Sequence, residues 1–300
     1  MIKEVTVVNN HNESLTLPLT NPWGTGLAVM SITGLNPPKA NISTTELSTM
    51  DGSVFVSSRV GPRNIVLTLK ILPNKTIEEV RHTLYKYFPI KKDVTFFIKT
   101  DQREAYTNCY VESNEIEIFS NFETAQISLI CPDSYLYSVD EKSEVLYSVE
   151  SLFTFPFSNP VGEKDIIFGE VSQENYKSID YKGEGDTGVV IRMLALGPVT
   201  NPSVRNVTLD QTMLINSEKL ESIVELGFIE GDEIYISTYK GSKTVTHVRH
   251  GVATNILSCL GDYSDWISLE NGENAIVYSA EEGRLNLQVT ISYRELYSGI

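Results

Sequence analysis

Asn201-Pro202-Ser203-Val204-Arg205-Asn206-Val207-Thr208 opens the most informative hundred residues of the chain. Gly231-Asp232-Glu233-Ile234-Tyr235-Ile236 and Lys243-Thr244-Val245 follow, then residues 255–260, Asp265-Trp266-Ile267-Ser268-Leu269 and Gly272-Glu273-Asn274. A run over 285–293 and Tyr297-Ser298-Gly299-Ile300 close the sequence. Apolar and polar residues alternate inside these pieces, and Gly, Asn and Asp separate them. A period of two marks half-buried strands joined by tight turns. The reading extends back to give strands over 165–168, 176–181, 188–195, 204–207, 211–216, 233–237, 243–247, 264–269, 273–279 and 284–293. Such regular spacing predicts a β-sandwich or barrel. Residues 217–229 break the pattern and read as a short helix or an elaborated loop.

The first half is also strand-rich. Strands are expected over 4–8 and 15–19 around the turn Asn9-Asn10-His11-Asn12, and again over 27–34. Residues 39–50 are polar and read as a mobile loop. Residues 63–72 alternate with Ile65, Leu67, Leu69 and Ile71 on one side. Thr76-Ile77-Glu78-Glu79 is a capping box, and Ile77, Val80, Leu84 and Phe88 follow at helical spacing before Pro89. A helix over 76–88 is therefore predicted. Strands resume over 94–99, 105–112, 116–119 and 124–131. Residues 138–150 form a polar crossover, and the second domain opens on Phe153-Thr154-Phe155-Pro156-Phe157 and Pro160-Val161-Gly162. Two domains result, 1–139 and 140–300.

Two further stretches join the opening ones. Ile127-Ser128-Leu129-Ile130-Cys131-Pro132-Asp133-Ser134-Tyr135 is an apolar strand closing on Cys-Pro-Asp-x-Tyr. Thr49-Met50-Asp51-Gly52 is a turn followed by Arg63 and the strand after it. In their order and spacing these pieces resemble the phage distal tail proteins, the ring-forming hubs at the tip of long-tailed phages. The resemblance implies a mainly β fold: an N-terminal tail-tube-like β-sandwich with one flanking helix, and a C-terminal galectin-like β-sandwich. It implies a structural protein without enzymatic activity or cofactor, located in the virion at the tail tip and assembled in the host cytoplasm. The partners it implies are a homo-hexameric ring of this chain, the tail tube protein, a tail-associated hub or lysin protein, and receptor-binding or other baseplate proteins. DNA would pass through the lumen.

Bulk properties narrow the alternatives. The 300 residues are 41% hydrophobic and 21% charged, the balance of a globular chain. No stretch approaches the roughly 18 apolar residues a membrane helix needs, so membrane insertion is not expected. Met1-Ile2-Lys3-Glu4-Val5 lacks the apolar core of a signal peptide. Of the net charge of −15, residues 1–139 carry −2 and residues 140–300 carry −13. Phosphate binding needs a basic footprint, so an acidic second half argues against nucleic acid as a bound ligand.

Candidate chemical groups are few. His247-Val248-Arg249-His250 places two histidines three apart, but the flanks read as a hairpin, where such residues face opposite ways. The expected reading is a polar hairpin tip, and no metal site is assigned. No serine sits in a Gly-x-Ser-x-Gly context, and no catalytic residue is assigned. Asp232-Glu233 and Glu281-Glu282 read as solvated turn carboxylates. Gly183-Glu184-Gly185-Asp186 lacks the alternating ligands of a calcium loop, and Gly24-Thr25-Gly26 lacks the remainder of a phosphate loop. Cys109, Cys131 and Cys259 are odd in number and widely spaced, so they read as buried thiols rather than a disulfide framework or zinc site. Trp266 is the one candidate glycan or partner contact. It reads equally as a sugar-stacking ring on an attachment module and as a core or interface aromatic. The 15 tyrosines favour protein partners.

Overall fold

Arg63, Ile65, Leu67, Leu69 and Ile71 are all buried, and the residues between them are exposed or half-buried. That alternation sets the central strand of the first of two units. The structure is a computed structural model and describes residues 1–49, 51–117, 123–146, 149–151, 169–171 and 176–300. The expected opening of the second domain at 153–162 and the expected strand over 165–168 lie outside the described residues. The first unit comprises Met1–Asp140 with Leu296–Ile300, and the second comprises Glu141–Glu295. The chain is mainly β in both.

In the first unit the strands are β1 (Ile2–Asn9), β2 (Ser14–Pro18), β3 (Leu27–Thr33), β4 (Ala40–Glu46), β5 (Ser53–Val60), β6 (Arg63–Ile71), β7 (Asp93–Thr100), β8 (Glu104–Glu117), β9 (Thr124–Cys131) and β10 (Leu136–Ser138). Its one helix, α1 (Ile77–Tyr87), precedes β7. The main sheet is antiparallel in the order β2-β1-β7-β8-β9-β6-β3, with β10 and the terminal strand Leu296–Tyr297 attached through β8. The outermost strands β2 and β3 come back into contact, so the sheet rolls over one core. Val5, Val7, Leu67, Phe96, Ile98, Cys109, Ile127 and Leu129 fill it.

Helix α1 lays Val80 and Leu84 on that core. The capping box expected from sequence is present in both directions: Thr76 Oγ1 accepts from the Glu79 amide, and Glu79 accepts from the Thr76 amide. At the other end the Asn114 side chain donates to the carbonyls of Leu84 and Phe88, and Asn9 donates to that of Lys86. Carbonyls left open by the last turn are thus satisfied by side chains from the sheet.

Two expectations change. Residues 39–50 are not a loop, because β4 pairs along its length with β5 as a separate two-stranded hairpin. Residues 105–112 and 116–117 belong to one strand, β8, which runs through a bulge between Val111 and Ser113. The polar Glu112-Ser113-Asn114-Glu115 interrupts the apolar alternation, but a bulge absorbs the break without ending the strand.

Arg63 is only 2% exposed and has no carboxylate hydrogen-bonded to it. Its guanidinium instead spends all five N–H donors on main-chain carbonyls. Nε and Nη2 donate to Ser134 O at 3.1 and 2.8 Å. Nη1 donates to Gly34 O at 2.6 Å and Asn36 O at 3.0 Å, and Nη2 also donates to Ser298 O at 2.6 Å. Gly34 has φ +83°, and a Cβ there would lie 1.9 Å from Asn64 O, so only glycine brings this carbonyl into place. The turn after β3, the Pro-Asp-x-Tyr turn after β9 and the terminal residues therefore share one anchor.

The second unit is a two-sheet sandwich. One sheet has the order Lys142–Val145, Leu287–Tyr293, Val190–Ala195, Glu233–Ser237, Thr244–Arg249 and Val252–Asn255. The other has Tyr176–Tyr181, Gly272–Ser279, Ser203–Asn206 and Gln211–Leu214. Ile191, Met193, Ile234, Ile236 and Val289 from the first sheet meet Ile179, Tyr181, Val204, Met213 and Ile276 from the second in one core. The open choice at 217–229 resolves to a short helix, Ser217–Glu221, capped by Asn216. Of the strand expected over 264–269, only Ser268–Leu269 pairs, with Thr187–Gly188.

Arg63→Met keeps the bulk of the side chain and removes the donor from four main-chain carbonyls. We expect a loss of about 3 kcal/mol or more in urea unfolding of the first unit. An unchanged midpoint would show that the guanidinium is not the anchor.

Candidate assembly surfaces

Every described residue of β4 and β5 is exposed. The hairpin pairs in register from Ala40↔Val60 to Glu46↔Ser53, with a bulge at Ser43/Thr44. Its strands are rich in Ser, Thr and Val, which favour extended backbone without supplying a core face. Ile42 is 65% exposed and Phe55 61%, and Val54, Val56, Val60 and Leu47 are also open. A lone two-stranded hairpin is marginally stable in water, and an uncovered apolar edge is a template for pairing with another chain. Within this chain no described core residue comes from the hairpin.

Trp266 lies outside any strand and packs half-buried against the second core. The Lys243 ammonium sits 5.0 Å from its ring centroid. A sugar stacking there would have to displace a cation from the ring. Tyr263, three residues earlier, is by contrast almost fully exposed.

The remaining candidates are structural in their geometry. Asp232 and His247 are each 1% exposed, with His247 Nε2 3.1 Å from Asp232 Oδ2. Arg249 donates through Nε at 2.7 Å and Nη2 at 2.6 Å to the two Asp232 oxygens, and also holds the carbonyls of Glu225 and Gly227. Glu233 is gripped by Arg192 through Nε at 3.0 Å and Nη2 at 2.7 Å, and accepts from the Tyr235 hydroxyl. Asp232 is thus buried and Glu233, partly exposed, is held by an arginine, and His247 is not part of a polar tip. The tip itself is His250-Gly251, both with positive φ. Sequence reasoning missed this cluster because Asp232 and Arg249 are neighbours only through the pairing of Glu233 with Val248. The signal was the alternation itself, which puts His247 on the buried face with Val245.

Burial works to raise the Asp232 pKa, but hydrogen bonds from Arg249, the Ile229 amide and His247 outweigh it and hold it below the ordinary value. Hydrogen bonds from Arg192 and then Tyr235 do the same for Glu233. Glu281 accepts from Asn201, while Gly183 and Gly185 offer their carbonyls to Asn271 and Tyr181. Among the described residues no three His, Cys, Asp or Glu side chains are grouped to hold a metal.

Comparison with known proteins agrees with this picture of a scaffold. Residues 25–131 match the family described as phage tail protein RIFT-related domain, and residues 182–297 match the siphovirus-type tail component, C-terminal domain. The Dit (gp 19.1) protein of phage SPP1, described as a hub adsorption apparatus paradigm, is 12% identical with a TM-score of 0.67, covering 97% of this chain and 98% of that one. A chain of the phage P2 baseplate in its activated conformation with Ca is 13% identical with a TM-score of 0.51, over 97% and 98% of the two chains. The corresponding baseplate with Sr gives 12% and 0.50, over 96% and 97%. At such identities the likeness to the solved structures is one of fold. No curated protein matches the chain. The two family matches, in this order on a β-sandwich hub fold, define a structural component of a phage tail hub or baseplate. The chain belongs to the phage distal tail protein family.

Both carboxylates have lowered folded pKa values, so their contribution is full above the ordinary values of 3.8 and 4.5 and is lost as pH falls through the folded values. Thermal unfolding of the second unit should weaken steeply below about pH 4. Asp232→Asn should cost about 2 kcal/mol at pH 6 and flatten that acid slope. Parallel pH profiles for variant and parent would contradict the cluster's role.

Proposed function

We propose that this tail component closes into a ring of six copies that continues the tail tube and joins it to the tail tip. The observation that carries the reading is the β4–β5 hairpin, an arm with strand backbone and exposed apolar side chains but no cover from its own chain. A neighbour's surface supplies that cover. A head-to-tail contact that closes by rotation then limits the assembly to a ring. One face of the ring meets the tail tube protein, and the other meets a tail-associated hub or lysin protein.

The charge distribution supports the same reading. The first 139 residues are near neutral, as suits a lumen through which DNA must pass without sticking. The main sheet's outward face carries Thr6, Thr95, Phe97, Tyr106 and Asn108, with the charge of Lys99 answered by Glu104. The strongly acidic second domain serves receptor-binding or other baseplate proteins, on the outer side of the ring. No group with the geometry of a catalytic centre competes with this structural role among the described residues. The site of action is the virion tail tip, after assembly in the host cytoplasm.

Phe55→Asp together with Val56→Asp places charge on the arm and touches no core residue. Light scattering with negative-stain imaging should show six-fold rings for the parent and at least a tenfold weaker association for the variant, with unchanged thermal unfolding of both units. Rings from the variant at parental concentration would refute the arm as the closing contact.

A further inference from the structure

Cys109 and Cys131 are far apart in sequence but adjacent in the sheet. The β8–β9 ladder pairs Tyr110 with Ile130 and Val111 with Leu129, which sets Cys109 directly opposite Cys131. Their sulfurs are 2.8 Å apart, and both thiols are free and fully buried. Directly opposed residues of antiparallel strands have Cα atoms about 4.5–5.5 Å apart, inside the roughly 4.4–6.8 Å range a disulfide accepts. A bridge here needs no new backbone path.

The next residue in the same row is Arg63, paired across the ladder with Cys131. Its positive charge favours thiolate at both sulfurs. The hydrogen bond shared by the two sulfurs, in which either can donate, and then burial push the Cys109 thiol up, while the shared bond holds Cys131 down. Either sulfur can lose its proton to become the nucleophile, and the other then carries the remaining proton.

We propose that Cys109 and Cys131 are an oxidisable cross-strand dithiol, which hydrogen peroxide closes into a disulfide stapling β8 to β9. The thiolate of one of them, here Cys131, attacks one peroxide oxygen. The S–O bond forms, the O–O bond breaks, and the departing hydroxide takes up the proton that this thiol gave up, as water. The Cys109 sulfur then attacks Cys131. The S–S bond forms, the S–O bond breaks, and the leaving hydroxide takes the Cys109 proton as a second water. Two thiols give up two electrons and the peroxide is reduced to two waters. Peroxide is small enough to reach the buried pair during local opening of the sheet, where bulkier disulfides are held out. A tail component meets such an oxidant when the particle leaves a reducing cell interior. That setting rests on the tail reading, but the chemistry and its test do not.

The test treats the purified full-length chain with a few equivalents of hydrogen peroxide, then maps its peptides without reduction. The expected result is a mass loss of about 2 Da, a peptide link joining Cys109 to Cys131, and Cys259 in the other unit left as thiol. Thermal unfolding of the first unit should rise by about 5 °C or more and return on reduction, because the bridge restricts the unfolded chain. Cys109→Ala should show neither the link nor the rise. If that variant does not fold, the peptide map of the parent chain decides alone. Oxygen uptake at either thiol without a link, a link to Cys259, or three intact thiols would each overturn the proposal.

Discussion

The buried guanidinium of Arg63 is the constraint around which the first unit is arranged. A cation in a rolled-sheet core is costly unless every donor is satisfied. Here satisfaction comes from the carbonyls of Gly34, Asn36, Ser134 and Ser298, which belong to three separate segments. Planar, five-donor geometry makes arginine able to gather them, where a lysine with three donors at one point cannot. The turn after β3 must therefore contain a glycine, the chain after β9 must turn at once, and the last residues must return to the first unit. The five terminal residues group with the first 140 for this reason, although the rest of the second half forms a unit of its own.

Much of this architecture is legible in the sequence where local physics decides. Alternation in Arg63–Ile71 and Glu233–Ser237 defines those strands, and Thr76 with Glu79 defines the start of α1. Cys-Pro-Asp-x-Tyr and the terminal Tyr-Ser-Gly-Ile stand out as motifs, and the structure gives them a physical reason, since both lend a carbonyl to Arg63. Illegible features depend on partners distant in sequence. β4 has no alternation to read, because neither face of it is buried, and only its pairing with β5 makes it a strand. Asp232, His247 and Arg249 read as turn and tip residues, but strand pairing buries Asp232 and His247 and sets Arg249 over them. Cys109 and Cys131 looked unrelated for the same reason.

The two units divide the work of a structural protein. The buried charges are tied down by hydrogen bonds: Arg63 in the first unit, and Asp232 by Arg249 in the second. The β4–β5 arm by contrast combines extended backbone with a cluster of open apolar side chains, Ile42, Phe55 and Val56 among them. A hairpin with open strand edges suits assembly by addition of strands, in which main-chain hydrogen bonds supply affinity and side chains supply specificity. Family membership and the hub-like fold fit that division, and the acidic second half keeps its surface from sticking to like-charged copies.

The central claim is that the arm is completed by a second copy of the chain. Hydrogen exchange of the amides of residues 40–60, followed across a concentration series that spans assembly, tests it most directly. The account predicts exchange slowed by more than about tenfold in the arm as rings form, with the amides of β6 and β9 unchanged. Equally fast exchange of the arm in the assembled and the dilute chain would contradict it.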